Sequence, residues 1–303
     1  MLFDYGMPQR YAADGINGVV SPDVLAAMTG ADICFVNQEF PFGEGGEKAD
    51  KQYTFIADPT TVSAMLEMGV DGVTIANNHT LDYGRDVFAQ NCEILEGAGI
   101  KYAGGGENLE RAKQLQTFEV HGKKIGFLAA SRVIPSGDWN AETSRSGLFT
   151  TYDSTDMCEE IRKAKEECDL VFVYVHWGIE KDEYPQEYEY TLAKEYAAAG
   201  ADAVIGSHPH VLQGIENVDG IPVFYSLGNF IFNTTIERTM MVTATIDADC
   251  NITWKVIPCY AANGVTSLAE ADKKSNILTY LESISYDAAI SEDGIVSWTD
   301  AAQ

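Results

Sequence analysis

Six short apolar runs separated by helical patterns constrain this chain more than any other feature. They lie at Ile33–Val36, Gly72–Ala76, Lys124–Ala130, Leu170–Val175, Ala203–Ile205 and Val223–Leu227. Each has the length of a strand buried on both faces, and none approaches a membrane span. Between most of them the apolar spacing turns helical, near Pro59–Met68, Asp86–Ala98, Asp156–Glu167 and Glu187–Ala199. Such alternation predicts parallel strands joined by right-handed helical crossovers. From about residue 222 the pattern changes. Val223–Leu227, Met240–Ile246 and Asn251–Ile257 read as strands divided by turn residues, as in antiparallel hairpins. The expected fold class is therefore α/β, a mixed-sheet sandwich with helices on the outside.

No internal repeat, low-complexity tract or Pro/Gly/Ser linker divides the 303 residues. The predicted organisation is one domain over 1–262, with a C-terminal helix (roughly Leu268–Ser285) and tail over 263–303 packing on it. There are 46 acidic and 20 basic residues, a formal net charge of −26. Phosphate backbones need clustered lysine and arginine, so nucleic acid is excluded as a partner. An acidic cleft would instead draw divalent cations. The six cysteines (Cys34, Cys92, Cys158, Cys168, Cys250, Cys259) form no Cys-x-x-Cys pair, which argues against structural zinc and thioredoxin chemistry.

Four of the five histidines follow apolar runs, where α/β folds place ligands. They are His79, His176, and the pair His208 and His210 flanking Pro209. One strand-end histidine is more often structural; four in that position point to metal binding. Glu39, Asn78 and Asp82 occupy equivalent positions. Mixed imidazole, carboxylate and amide donors suit Mn, Fe or Zn better than Ca. His121, before Gly122-Lys123-Lys124, reads as a hairpin turn. Arg132, Trp139 and Arg145 form the basic-aromatic stretch expected beside the site, able to grip carboxylate or phosphate. Gly104-Gly105-Gly106 lacks the context of a nucleotide loop, and Ser226-Leu227-Gly228 lacks nucleophile-elbow spacing.

Five blocks carry a family resemblance: Asn37-Gln38-Glu39-Phe40-Pro41, Asn77-Asn78-His79 with Asp82 and Gly84, His176-Trp177-Gly178 with Glu180, Gly206 with His208-Pro209-His210 and Gln213, and Tyr225-Ser226-Leu227-Gly228-Asn229-Phe230. In order and spacing over about residues 1–233 they resemble CapA-type proteins of bacterial capsular poly-γ-glutamate synthesis, which are similar to calcineurin-like metallophosphoesterases. The resemblance implies a metallophosphoesterase-like fold with two divalent ions, Glu39 bridging them and Asn78, His176, His208 and His210 as ligands. It gives His79 as general acid or transition-state stabiliser, Asp82 and Glu180 as orienters or substrate contacts, and Asn229 as a substrate contact.

Family members open with a strand ending Gly-Asp-(Val or Ile)-Met-Leu. Here Met1-Leu2 match its end, so the aspartate is missing and one metal position is expected to be weakened. Two functions follow as expectations. One is a metal-dependent hydrolase acting on a phosphoester or an amide-linked polymer such as polyglutamate. The other is a non-catalytic scaffold working with membrane synthase or export subunits. The resemblance also implies a location at the cell surface or outer face of the membrane, through an N-terminal anchor absent from this chain.

Overall fold

The structure, a computed structural model, describes residues 1–299; positions 300–303 of the expected C-terminal tail lie outside the described residues. Its centre is a six-stranded sheet built from Gln116–Val120, Lys123–Ser131, Leu170–His176, Ala203–Ser207, Ile221–Phe224 and Ile215–Val218, in that spatial order. The inner strands run parallel, and the two outermost strands pair antiparallel. Side chains alternate across a strand, so each inner strand must supply two cores. Val171, Val173 and Val175 face one side, where helices Thr155–Glu167 and Glu187–Ala199 cover them. Leu170, Phe172 and Tyr174 face the other. Here lies a second layer of sheet. Phe35 of the parallel sheet Phe35–Asn37, Gly72–Thr74 and Lys101–Ala103 stacks on Phe127 at 4.3 Å between centroids. Trp254, from the antiparallel sheet Ile236–Ile246, Ile252–Ala262 and Val265–Leu268, meets Phe172 and Phe224 edge-on or tilted. Helices Val62–Glu67 and Gly84–Ala98 close the far side through a third core containing Met65, Leu95 and Ile100. The result is the expected mixed α/β sandwich with helices outside.

Parity then decides what happens at the strand ends. His176 continues the Phe172, Tyr174 series and so projects between the two sheet layers. In register, Ser131, His176 and Ser207 form one transverse row across three parallel strands. The second sheet brings Asn37 and Thr74 to its own carboxyl edge, paired with each other.

Several elements differ from the sequence expectation. Ile221–Phe224 is not part of a late hairpin set; it joins the central sheet, parallel to Ala203–Ser207 and antiparallel to Ile215–Val218. That last strand, with helices Met7–Asp14 and Pro22–Thr29, has no clear periodic signal in so short a span. The strand predicted to Ala76 ends at Thr74; Ile75 N–H still donates to Ala103 O, and the chain turns only from Asn77. His121 does sit in a hairpin turn, with φ of 50°. Met1–Phe3 belong to no named strand, yet Met1 O accepts from Glu39 N–H and Leu2 N–H donates to Ile231 O. All six cysteines are free thiols. Helix Ala271–Ser283 buries Ile277, Leu278 and Leu281 beside Trp254 and Phe224.

One buried carboxyl is costly to ionise. Glu189 closes a capping box by accepting from Gln186 N–H, while its second oxygen has no hydrogen-bond partner. Burial pushes its pKa from 4.5 to about 8. The unfolded chain releases this proton near 4.5 and the folded chain holds it to about 8, so ionisation erodes stability as pH rises through that window. Glu189→Gln should therefore gain on the native chain by roughly 2–4 kcal/mol between those limits. Denaturant unfolding across the pH range checks this, and parallel stability curves for the two proteins would refute it.

Candidate metal centre

Three carboxyl-edge loops converge on Glu39. It follows the strand Phe35–Asn37 immediately, in a loop held by buried amides. Asn37 Nδ2 donates to Glu39 Oε2 at 3.1 Å, and Asn77 Nδ2 donates to Gln38 O at 2.7 Å and Asn37 Oδ1 at 3.1 Å. One carboxylate oxygen is thereby fixed. The other, Oε1, is buried and has no hydrogen-bond partner. His176 Nε2 and His210 Nε2 approach it at 3.7 and 3.8 Å, too far for hydrogen bonds.

The histidines are set by their own partners. His176 bridges Ser207 Oγ at 3.0 Å and Asn78 Oδ1 at 2.9 Å. His210 Nδ1 donates to Asn229 Oδ1 at 2.9 Å, which turns Nε2 toward Glu39. His208 has a buried Nδ1 without a partner. Ligand atoms of Glu39, His208 and His210 all lie within 4.8 Å of one another. Backbone geometry adds an independent sign. His208 and His210 have φ of 106° and 59°, in the left-handed half of the map that side-chain-bearing residues avoid. Their turn is held by a close approach behind it: Trp177 Nε1–H donates to Tyr225 O at 2.9 Å across Gly206. A Cβ on Gly206 would sit 2.0 Å from that oxygen. No other residue fits there.

Protonation follows from burial. Desolvation lowers His208 to about 4 and holds His176 well below its usual range, so both rings are neutral. Burial alone would raise Glu39, but His210, His176, the terminal amine and His79 outweigh it and hold the carboxyl at about 2. Neutral imidazoles around an anionic carboxylate are the forms that bind metal. With two orphaned buried acceptors and strained ligand turns, the residues fit a divalent cation.

His79 stands beside this group. Its Nδ1 meets Asp82 Oδ2 at 2.7 Å, and Asp82 also accepts from Phe55 N–H. Lys51 completes the cluster. Its Nζ is 2.5 Å from Asp82 Oδ1 and 3.1 Å from His79 Nδ1, and it donates to Asn78 O. The ammonium also lies over the Trp139 ring at 5.3 Å. Sequence reading missed Lys51 because it sits in an aperiodic acidic loop without any strand beside it.

Glu39, His79, His210, Asn229 and Glu180 open onto one cleft of about 600 Å³. The basic-aromatic stretch is divided. Trp139 is buried against Lys51. Arg132 donates its backbone N–H to His176 O, and its guanidinium lies over Tyr152 and Tyr188. Arg145 pairs with Glu142 at 2.6 Å and is not among the residues lining that cleft.

His208→Ala should abolish divalent-metal binding measured by calorimetry, while Asn229→Ala weakens it about 10-fold by freeing the His210 ring. Undiminished affinity in His208→Ala would remove that histidine from the ligand set.

Comparison with known proteins gives the family of the chain. Residues 2–234 match the family described as bacterial capsule synthesis protein PGA_cap. The capsule biosynthesis protein CapA of Bacillus anthracis is 33% identical over 238 residues, covering 76% of this chain and 56% of that one. The PGA biosynthesis protein CapA of Bacillus subtilis (strain 168) is 31% identical over 234 residues, covering 76% and 60%. The chain thus spans under two thirds of either relative's length. Among solved structures, a putative 5'-nucleotidase from Staphylococcus aureus aligns over 84% of this chain and 50% of that one, at 14% identity and a TM-score of 0.49. The chain belongs to the PGA_cap family of bacterial capsule synthesis proteins.

Proposed function

We propose that this chain is a metal-dependent hydrolase of the polyglutamate-capsule system, acting on a phosphoester or an amide-linked polymer. The observation that carries the reading is the unpartnered Glu39 Oε1, buried and faced by His176 and His210. Glu39, His176, His208 and His210 would hold divalent metal (Mn, Fe or Zn), with Asn78 beside His176 and room for two ions as an expectation of the family resemblance. A divalent ion there supplies Lewis-acid stabilisation and makes a water nucleophile available near neutral pH.

The chain's own residues supply the rest. Asp82 accepts at His79 Nδ1 and so turns Nε2 toward the cleft, where a leaving oxygen can take a proton. Lys51 ties Asp82 to the Asn78 carbonyl, coupling the proton-handling residue to the ligand loop. Glu180 lines the same cleft and is free to contact or orient substrate. The capsule and PGA context comes from the names of the two CapA relatives, and the polyglutamate reading from the family resemblance. The same context supports a cell-surface location and membrane synthase or export subunits as partners. Among the described residues, no helix is long and apolar enough to cross a membrane.

The test uses protein reconstituted with Mn, Fe or Zn and assayed on a phosphodiester and on polyglutamate. His79→Ala should retain the metal and lower kcat by about 10²–10⁴. If the metal-loaded native protein turns over neither substrate, the hydrolase reading falls and the non-catalytic scaffold takes its place.

A further inference from the structure

The cleft has a second wall that the metal residues do not build. Arg238, on the strand Ile236–Ile246, and Tyr280, on the helix Ala271–Ser283, line it beside the loop bearing Glu180, Lys181 and Glu183. Both lie beyond residue 234, where the family match ends. The Arg238 guanidinium rests on the Tyr280 ring at 3.6 Å. Glu183 Oε1 is 3.9 Å away, long for an ion pair, and the two side chains are 39% and 42% exposed. Among the described residues, the guanidinium has no hydrogen-bond acceptor within reach. A planar cation is thus held in place by stacking, with only the long Glu183 contact against its donors.

We infer that Arg238, stacked on Tyr280, is an anion subsite of this cleft. It binds an acidic group of the substrate other than the one reacting beside Glu39. The inference rests on the metal-hydrolase reading, since it is the metal end that fixes where the reacting group lies. In a chain with a net charge of −26, an oxyanion has few places to settle, and a cleft carrying Glu39, Glu180 and Glu183 would repel it. A guanidinium fork matches carboxylate and phosphate alike, so the shared ligand chemistry is a polyanion with acidic groups at two separated points. Lys181 shares the cleft but is a point charge without a stacking partner among the described residues. Arg238 therefore sets which acidic group docks, and Lys181 contributes only to the field.

The probes are orthophosphate, a γ-linked glutamate tetramer and inorganic tripolyphosphate, titrated calorimetrically into metal-loaded native protein, Arg238→Ala and Arg238→Lys. Orthophosphate should bind all three equally at the metal end. One or both oligoanions should bind Arg238→Ala at least about 10-fold more weakly, with partial recovery in Arg238→Lys, where charge remains without the fork. Loss confined to the tetramer assigns a carboxylate polymer, and loss confined to tripolyphosphate assigns a phosphate chain. The subsite is overturned if both oligoanions bind Arg238→Ala as tightly as the native protein. It is equally overturned if orthophosphate weakens by the same factor, which would mark a general charge effect. Failure of metal-loaded native protein to bind any of the three removes the hydrolase reading together with the subsite, whereas orthophosphate binding with no Arg238 effect removes the subsite alone.

Discussion

A buried carboxylate oxygen with no hydrogen bond is the constraint on which this structure turns. Glu39 Oε1 lies out of water, and an uncompensated charge there is expensive. The fold surrounds it with the imidazole nitrogens of His176 and His210, which stop short of bonding distance. The amides of Asn37 and Asn77 hold this geometry by fixing the other oxygen and the loop beneath it. The strained turns at His208 and His210 belong to the same logic. Local conformations that are unfavourable by themselves persist because packing around Gly206, Trp177 and Tyr225 leaves no alternative.

Much of this was legible in the sequence. Apolar runs of strand length located four of the six central-sheet strands, because continuous burial leaves a plain composition signal. His79, His176, His208 and His210 stood out because each followed such a run, and strand ends at one edge of a parallel sheet are brought together by topology alone. Parity also told which way His176 points, once Phe172 and Tyr174 were assigned to a face.

What escaped notice was whatever depends on a loop. Lys51 reaches Asp82 and Asn78 from a stretch with neither periodicity nor apolar anchor, so only coordinates reveal its reach. Asn229 was visible as part of a block, but its bond to His210 Nδ1 depends on two distant turns meeting. Arg132 and Arg145, read as one stretch of sequence, part company because one lies just past the strand Lys123–Ser131 and the other closes on Glu142. Arg238 carried no signal at all: it sits on a hairpin whose pattern speaks of burial and pairing, not of the cleft it flanks.

The transverse row Ser131, His176 and Ser207 has a further consequence. Three parallel strands terminate at one level, so their hydrogen-bonded ladders, not their connecting segments, set the depth of the floor. Insertions or exchanges beyond that row change what stands above the floor without tilting it. The architecture thereby separates two kinds of heritable variation. Changes below the row are coupled to every neighbouring strand, while changes above it act as replaceable cassettes that reshape the rim alone.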